Sequence, residues 1–140
     1  MKIITLPFLI LIFSGVTLGL GAAQDVIDDK DINVVYFEEM EYPSVARQTR
    51  VQGVVVVRAE LDEKGNVVSS VAISGAKALV PSCLSNAKKW RFQPNVAKKA
   101  IIVYEFSFAD GTCIAGINGQ FIFVSPNIAT VRSCQRVATP

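Results

Sequence analysis

The chain has 140 residues, of which 51% are hydrophobic and 19% are charged, a composition that excludes a disordered protein and fits at most one domain. The 14 Lys and Arg residues nearly balance the 12 Asp and Glu residues, so charge gives no basis for binding nucleic acid. The chain has no His, which removes the commonest general base and every zinc site built on imidazole. The composition therefore argues against a hydrolytic enzyme, and we expect no metal and no cofactor.

Residues 1–23 have the layout of a secretory signal peptide. Lys2 precedes an uncharged apolar run over residues 3–20, and Gly21-Ala22-Ala23 places small residues before a cleavage point. We expect cleavage after Ala23 and export to the periplasm. The alternative is an uncleaved membrane anchor, because the same segment is long enough to cross a bilayer as a helix.

Residues 24–41 are rich in Asp near their start and are interpreted as an acidic leader and short connector. A calcium-binding loop would need a defined order of ligands and a turn Gly, and neither is present here. We therefore expect a solvated segment that joins the signal peptide to the domain.

The first predicted elements are a short helix and a β-hairpin. Pro43 suits the first turn of a helix over residues 43–49, because its missing N–H would be unpaired there in any case. Alternating apolar and polar residues predict a strand over residues 54–61, with Val55, Val57, Ala59 and Leu61 on one face. Residues 63–66 supply a turn, and residues 67–74 form the returning strand, with a bulge or an edge position at Ser69 and Ser70.

A second helix and the strongest strand follow. Cys83, Ala87 and Trp90 recur at helical spacing over residues 81–90, and this pattern predicts one apolar stripe. Residues 100–108 alternate strictly and place four apolar residues on one face of a strand: Ile102, Tyr104, Phe106 and Phe108.

The C-terminal part adds a hairpin. Residues 112–117 and 120–124 flank Asn118-Gly119, the strongest short-range signal for a hairpin turn. Strands without long crossovers predict an α+β fold, in which helices pack on one face of an antiparallel sheet and the C-terminal β-hairpin is an addition.

The three Cys residues lie in the exported part of the chain, where disulfides form. Because three is odd, at most one intramolecular disulfide is possible. Cys113 and Cys134 are the predicted pair, and closing their loop would stabilise the fold by about 3 kcal/mol. Cys83 stays open as an alternative partner.

Residues 42–108 resemble the C-terminal domain of the TonB family. The resemblance rests on the order and spacing of five motifs: Tyr-Pro-Ser-Val-Ala-Arg at 42–47, Gln-Gly-Val-Val-Val-Val at 52–57, Leu-Asp-Glu-Lys-Gly-Asn-Val at 61–67, the segment from Leu84 to Lys88-Lys89-Trp90-Arg91-Phe92-Gln93-Pro94, and the strand that ends in Phe108. It implies two helices packed on a three-stranded antiparallel sheet, followed by an extension over residues 109–140. It also implies that there is no catalytic centre.

The family's domain touches outer-membrane transporters and pairs with an extended peptide near their N-terminus. An exposed edge strand offers unpaired N–H and C=O groups that such a peptide completes. By this resemblance, the partner-binding residues are Tyr42 and Pro43, with a receptive edge formed by Ile101, Ile102, Val103, Tyr104, Glu105, Phe106 and Ser107.

Two departures from the family shape the expected function. Energy transducers of this kind keep a His-bearing membrane helix and a long Pro-rich spacer, and neither occurs in this sequence. We therefore expect an exported interaction domain that binds an outer-membrane transporter or another envelope protein, with membrane contact only through an uncleaved N-terminus and a homodimer left open.

Two alternatives belong to other functional classes. In the first, the added hairpin covers the receptive strand, and the protein is a structural or assembly module of the periplasm. In the second, Cys83 near the start of a helix is the nucleophile of a thiol enzyme; a buried core thiol is the plainer interpretation of the same residue.

Overall fold

The computed structural model of the protein describes residues 32–109 and 119–134. The predicted signal peptide, most of the acidic stretch and Cys113 lie outside these ranges. Within them the elements are, in chain order, β1 (Val34–Tyr36), α1 (Ser44–Gln48), β2 (Gly53–Leu61), β3 (Val67–Ser74), α2 (Val80–Ala87), β4 (Arg91–Phe92), β5 (Lys99–Ala109), β6 (Gly119–Val124) and β7 (Ile128–Cys134).

A five-stranded sheet forms the body of the fold, with strand order β3-β2-β5-β7-β6. β3, β2 and β5 are antiparallel, as the sequence predicts. β7 adds to β5 in the parallel direction, and β6 pairs antiparallel with β7. The α+β class with two helices is confirmed, and the C-terminal addition extends the same sheet.

Strand alternation separates an inner face from an outer face. Val55, Val57 and Ala59 of β2 are fully buried, whereas Arg58 between them is exposed. On β5, Ile102, Tyr104 and Phe106 of the predicted face are buried, whereas Phe108 is only half-buried. Apolar burial of this kind is the main force that holds a sheet against its helices.

α2 covers the inner face through its predicted stripe. Cys83, Ala87 and Trp90 are at most 1% exposed. The hydroxyl of Ser70 on β3 donates a hydrogen bond of 3.1 Å to the carbonyl of Leu84 on α2. The helix ends at Ala87 rather than at residue 90, because the chain tightens into a turn there.

The predicted hairpin turn at residues 63–66 is confirmed, and β3 is an edge strand with two irregularities. One carboxylate oxygen of Asp62 accepts the backbone N–H groups of Lys64 and Asn66, at 2.8 and 2.9 Å. The Asn66 side chain donates to the other carboxylate oxygen at 2.9 Å. This bond is the largest cause that lowers the pKa of the Asp62 carboxyl group, and the backbone bonds lower it further. Gly65 has φ +82°, the left-handed region that favours glycine.

The structure adds strands that the sequence interpretation lacks. The connector includes a strand, β1, which pairs with β4 in a separate two-stranded sheet. The predicted strand 120–124 is part of β6, which forms a hairpin with the downstream strand β7. The predicted pairing with residues 112–117 lies outside the described ranges and stays a prediction. Asn118-Gly119 is the strongest turn signal in this region. The mixture of polar and apolar residues in β7 has no regular alternation, so the sequence does not predict this strand.

The predicted disulfide finds no support. Cys134 is a free, partly buried thiol, and its predicted partner Cys113 lies outside the described ranges. The alternative partner, Cys83, is also a free thiol. Among residues 32–109 and 119–134, neither helix has the length and apolar character needed to cross a membrane.

Candidate partner-binding site

The predicted receptive strand is paired on both sides. Val103 of β5 faces Val56 of β2 on one side and Ile128 of β7 on the other. The expectation that residues 101–107 form an open edge is therefore wrong, because β7 occupies the position that an added peptide strand would take. A peptide reaches this main chain only if β7 leaves.

β7 is integrated into the domain. Ala129, Val131 and Ser133 are at most 1% exposed and lie on the inner face. Just before the strand, the Asn127 side chain donates a hydrogen bond of 2.9 Å to the carbonyl of Ile101. Removing β7 would expose core side chains and break this bond, so the pairing is a structural part of the fold.

The side chains of the predicted strand divide between the two faces. Ile102, Tyr104 and Phe106 are buried in the core. The Tyr104 hydroxyl donates a hydrogen bond of 2.9 Å to Asn86 Oδ1, and burial raises its pKa well above the usual range. These three side chains are therefore out of reach of a partner.

Tyr42 and Pro43 lie at the entry to α1. The Tyr42 hydroxyl donates a hydrogen bond of 2.6 Å to the carbonyl of Val51, and burial raises the pKa of this hydroxyl. The Tyr42 ring packs against Phe106 and Phe108, each with a centroid separation of 5.2 Å. Pro43 is the N-cap residue of α1, one position before the helix, whereas the sequence predicts it within the first turn.

Tyr42 also lines a cleft of about 520 Å³ beside the start of β6. The cleft brings together the segment before α1, α1 itself and the two C-terminal strands. Its lining residues are Glu39, Met40, Glu41, Tyr42, Arg47, Gly119, Gln120, Phe121, Val131 and Arg132. Its lining therefore combines two aromatic residues with charges of both signs and suits polar peptide side chains.

A buried network fixes the segment that forms one wall of the cleft. The Asn86 side chain donates a hydrogen bond of 2.9 Å to the carbonyl of Glu38. Next to Glu38, the ring of Phe37 stacks on Phe123 at 4.7 Å and on Phe121 at 5.8 Å. No sequence pattern indicates these contacts, because they join positions far apart in the chain.

β6 is an outer strand of the sheet and borders this cleft. It pairs with β7 in an uninterrupted register of six residue pairs, from Gly119 to Val124. The strand contains no charged residue and no Pro. Its other side has no strand partner among residues 32–109 and 119–134, so β6 is an edge of the sheet within that part of the chain.

Cys83 has the environment of a core thiol. It is fully buried, and desolvation raises its pKa to about 12. A nucleophilic cysteine needs an accessible thiolate near neutral pH. The thiol-enzyme alternative therefore has no support from this site.

The comparisons with known proteins agree with the fold and the motifs. The profile of the Gram-negative bacterial TonB protein C-terminal family matches residues 38–109. Protein TonB of Vibrio cholerae serotype O1 is 32% identical over 76 residues, which is 53% of this chain and 31% of that protein. No solved structure matches. Since the family profile covers more than half of the 140 residues, the chain belongs to the TonB C-terminal family.

Proposed function

We propose that this chain is an exported, non-enzymatic envelope protein that serves TonB-associated transport by binding an extended segment of an outer-membrane transporter. Family membership supports the link with transport. The observation that carries the binding mode is the position of β6 at the end of the sheet formed by the described residues, because strand addition needs an edge strand. The binding edge lies two strands further out than the sequence predicted, since β7 and β6 extend the sheet beyond β5.

β6 suits strand addition better than β3, the other edge of the sheet. β3 has two register shifts against β2, one near Val56 and one near Leu61. Bulges of this kind bend an edge away from regular pairing, and they are a common protection of exposed edges. β6 has no such interruption over its six residue pairs.

The cleft beside β6 supplies side-chain recognition. A peptide paired with β6 and continuing past Gly119 would run toward Glu39, Arg47 and Arg132, which line the cleft. Main-chain pairing gives affinity in this mode, and pockets beside the strand give specificity. We therefore expect charged residues of the partner to occupy the cleft.

Backbone NMR tests this proposal. A transporter-derived extended peptide is titrated into the labelled protein, and we expect the amides of Gly119–Val124 and of the cleft to shift. The amides of residues 101–107 should keep slow hydrogen exchange, because β7 still covers them. Unchanged β6 amides at saturating peptide would overturn the proposal, and so would shifts confined to β5 with loss of protection in β7.

A pair of matched substitutions tests the choice of edge. Ile122 lies on β6, whereas Ile73 lies on β3 and is 57% exposed. Lysine on an edge strand opposes strand addition, so Ile122→Lys should weaken peptide binding at least about tenfold. Ile73→Lys should leave the affinity unchanged. Equal effects of the two variants would contradict binding at β6.

The pairing of β5 with β7 favours a second candidate function, a structural or assembly module whose receptive strand is self-covered. The seven residue pairs between these strands and the burial of Ala129 support it. This candidate predicts slow exchange of the β5 amides and no binding of extended peptides at any edge. Saturable peptide binding at β6 would exclude it.

A further inference from the structure

The outer face of the sheet carries a continuous apolar row. Val56 of β2 faces Val103 of β5, Val103 faces Ile128 of β7, and Ile128 faces Val124 of β6. Ile73 extends the line onto β3, as the extra residue of the bulge opposite Val56. We call these five residues the outer row. Directly paired residues share a face of a sheet, so the row crosses β2, β5, β7 and β6. Ile73, which is 57% exposed, extends it to β3.

The outer row is separate from the hydrophobic core. Val56, Val103 and Ile128 are only half-buried, and none of the five residues belongs to the core cluster. Ala46 of α1 and Ala87 of α2 do belong to that cluster, which places both helices on the opposite face. No element among residues 32–109 and 119–134 covers the outer row.

Further apolar side chains widen this surface. Val54 is 50% exposed and Val71 is 49% exposed, and both lie beside the outer row on the same face. Singly exposed valines are ordinary, but a contiguous apolar patch across a sheet marks an interaction surface. We propose that this face packs against the same face of a second copy of the chain.

Charge placement argues for a second copy as the occupant. Arg58 lies two residues beyond Val56 of the outer row on β2, where it pairs with Ile101. Glu105 lies on β5, on the other side of the row, where it pairs with Val54. The two charges are four residues apart along the strands, about 13 Å within one chain, too far for an ion pair.

A twofold axis along the outer row turns this separation into complementarity. The rotation places each apolar residue of the row over its own copy and brings Arg58 of one copy above the β2–β5 region that carries Glu105 in the other. Neighbouring strands are about 4.8 Å apart, a gap that the two long side chains can span. Such isologous contact forms every interaction twice.

The two charged side chains are available for this contact. Arg58 is exposed and has no ion pair with any described residue. The Glu105 carboxylate accepts one hydrogen bond of 3.3 Å from the Thr130 hydroxyl, which orients it on the outer face. Two sheets packed face to face through such side chains lie about 10 Å apart with nearly aligned strands.

The proposal concerns a face, whereas peptide binding concerns the edge of β6, so either can fail without the other. Sedimentation velocity of the full exported chain over a range of concentrations measures the association. We expect a reversible dimer. A chain that stays monomeric at every concentration would overturn the proposal. This holds also if another part of the same chain protects the outer row from solvent.

A charge exchange tests the geometry. Arg58→Glu and Glu105→Arg should each weaken dimerisation at least about tenfold, because each removes two pairs and creates like-charge contacts. The double variant should restore most of the affinity. Equal weakening in the single and double variants would overturn the twofold arrangement.

An apolar-to-charged pair supplies the control. Val103→Glu at the centre of the outer row should abolish the dimer, while Val45→Glu should leave it intact, since Val45 is 61% exposed on α1. Thermal melting of both variants establishes that they are folded. A folded Val103→Glu dimer, or loss of the dimer in Val45→Glu, would contradict the assignment of the face.

Discussion

The hydroxyl of Tyr104 donates a hydrogen bond of 2.9 Å to Oδ1 of Asn86, and both groups are buried. The same oxygen accepts the indole N–H of Trp90 at 2.8 Å. The Asn86 amide nitrogen in turn donates to the carbonyl of Glu38. One side chain thus joins α2, β5 and the segment that forms a wall of the cleft. It pairs the Trp90 indole, the Tyr104 hydroxyl and the Glu38 carbonyl, as buried polar groups require.

Asn86→Ala should destabilise the domain strongly. It leaves the Trp90 N–H, the Tyr104 hydroxyl and the Glu38 carbonyl without their partner, and buried unpaired groups are costly. We expect the free energy of unfolding in urea to fall by about 2–4 kcal/mol. Ser85→Ala, at the exposed neighbouring position of α2, is the control and should change it by less than about 0.5 kcal/mol. An Asn86→Ala variant as stable as the control would contradict the role of the network.

Sequence periodicity predicted most of the central fold, because β2, β5 and α2 each bury one face that alternates or recurs regularly. The inner face of β2, with Val55 and Val57, is a clear example. Asn86 escaped prediction since a polar residue on an apolar helix reveals nothing about partners 48 positions away, where Glu38 lies.

The candidate site was predicted only in part. Tyr42 does line the cleft, but the edge was placed on β5 because the strand that covers it, β7, has a weak pattern. Thr130 and Ser133 are buried polar residues that interrupt the apolar signal of β7. The parallel pairing of β7 with β5 also depends on a connection through β6, and local sequence patterns do not predict such a connection.

Val131→Ala tests whether β7 folds together with the rest of the domain. Val131 is 1% exposed on the inner face, so truncation should lower the free energy of unfolding by about 1–3 kcal/mol in a single transition. Arg132→Ala, on the exposed side of the same strand, should cost less than about 0.5 kcal/mol. If Val131→Ala leaves the free energy of the main unfolding transition unchanged, β7 is not needed for folding and β5 opens readily.

Cys83 should resist alkylation in the native protein at neutral pH. The thiol is fully buried and its pKa is raised to about 12, so accessible thiolate is scarce. Cys134 is partly exposed and should react first. Mass spectrometry after treatment with iodoacetamide locates the modified residue, and urea-unfolded protein provides full labelling for reference. Rapid alkylation of Cys83 in the native protein would contradict its burial and support the thiol-enzyme alternative.

Asp62 should make stability depend on pH in the acid range. The side chain and then the backbone N–H of Asn66 are the main causes that lower the pKa of its carboxyl group. The folded state therefore binds the proton less readily than the unfolded chain. The stabilisation that the Asp62 carboxylate contributes to the fold is present above its unfolded pKa of about 4. It is lost as the pH falls through the lower pKa of the folded state.

The check on Asp62 is a comparison of wild type with Asp62→Asn in chemical unfolding at several pH values. We expect the wild type to be more stable near neutral pH and the difference to vanish in strong acid, where both side chains are uncharged. A difference that persists unchanged below about pH 3 would show that the charged form is not what the turn stabilises. Glu63→Gln, at the exposed next position, controls for net charge.

Gly65 and Gly53 both have positive φ but differ in their surroundings, so Ala substitutions separate backbone strain from steric overlap. A Cβ at Gly65 would lie 1.8 Å from the carbonyl oxygen of Phe92, whereas a Cβ at Gly53 would meet no atom within 4 Å. The Phe92 N–H donates to the Gly65 carbonyl at 2.9 Å, so the two backbones cannot separate without losing this bond. We expect Gly65→Ala to destabilise the fold by more than about 3 kcal/mol and Gly53→Ala by about 1 kcal/mol. Thermal and urea unfolding measure both, and equal losses would mean that backbone conformation alone, rather than the approach of β4, requires glycine at position 65.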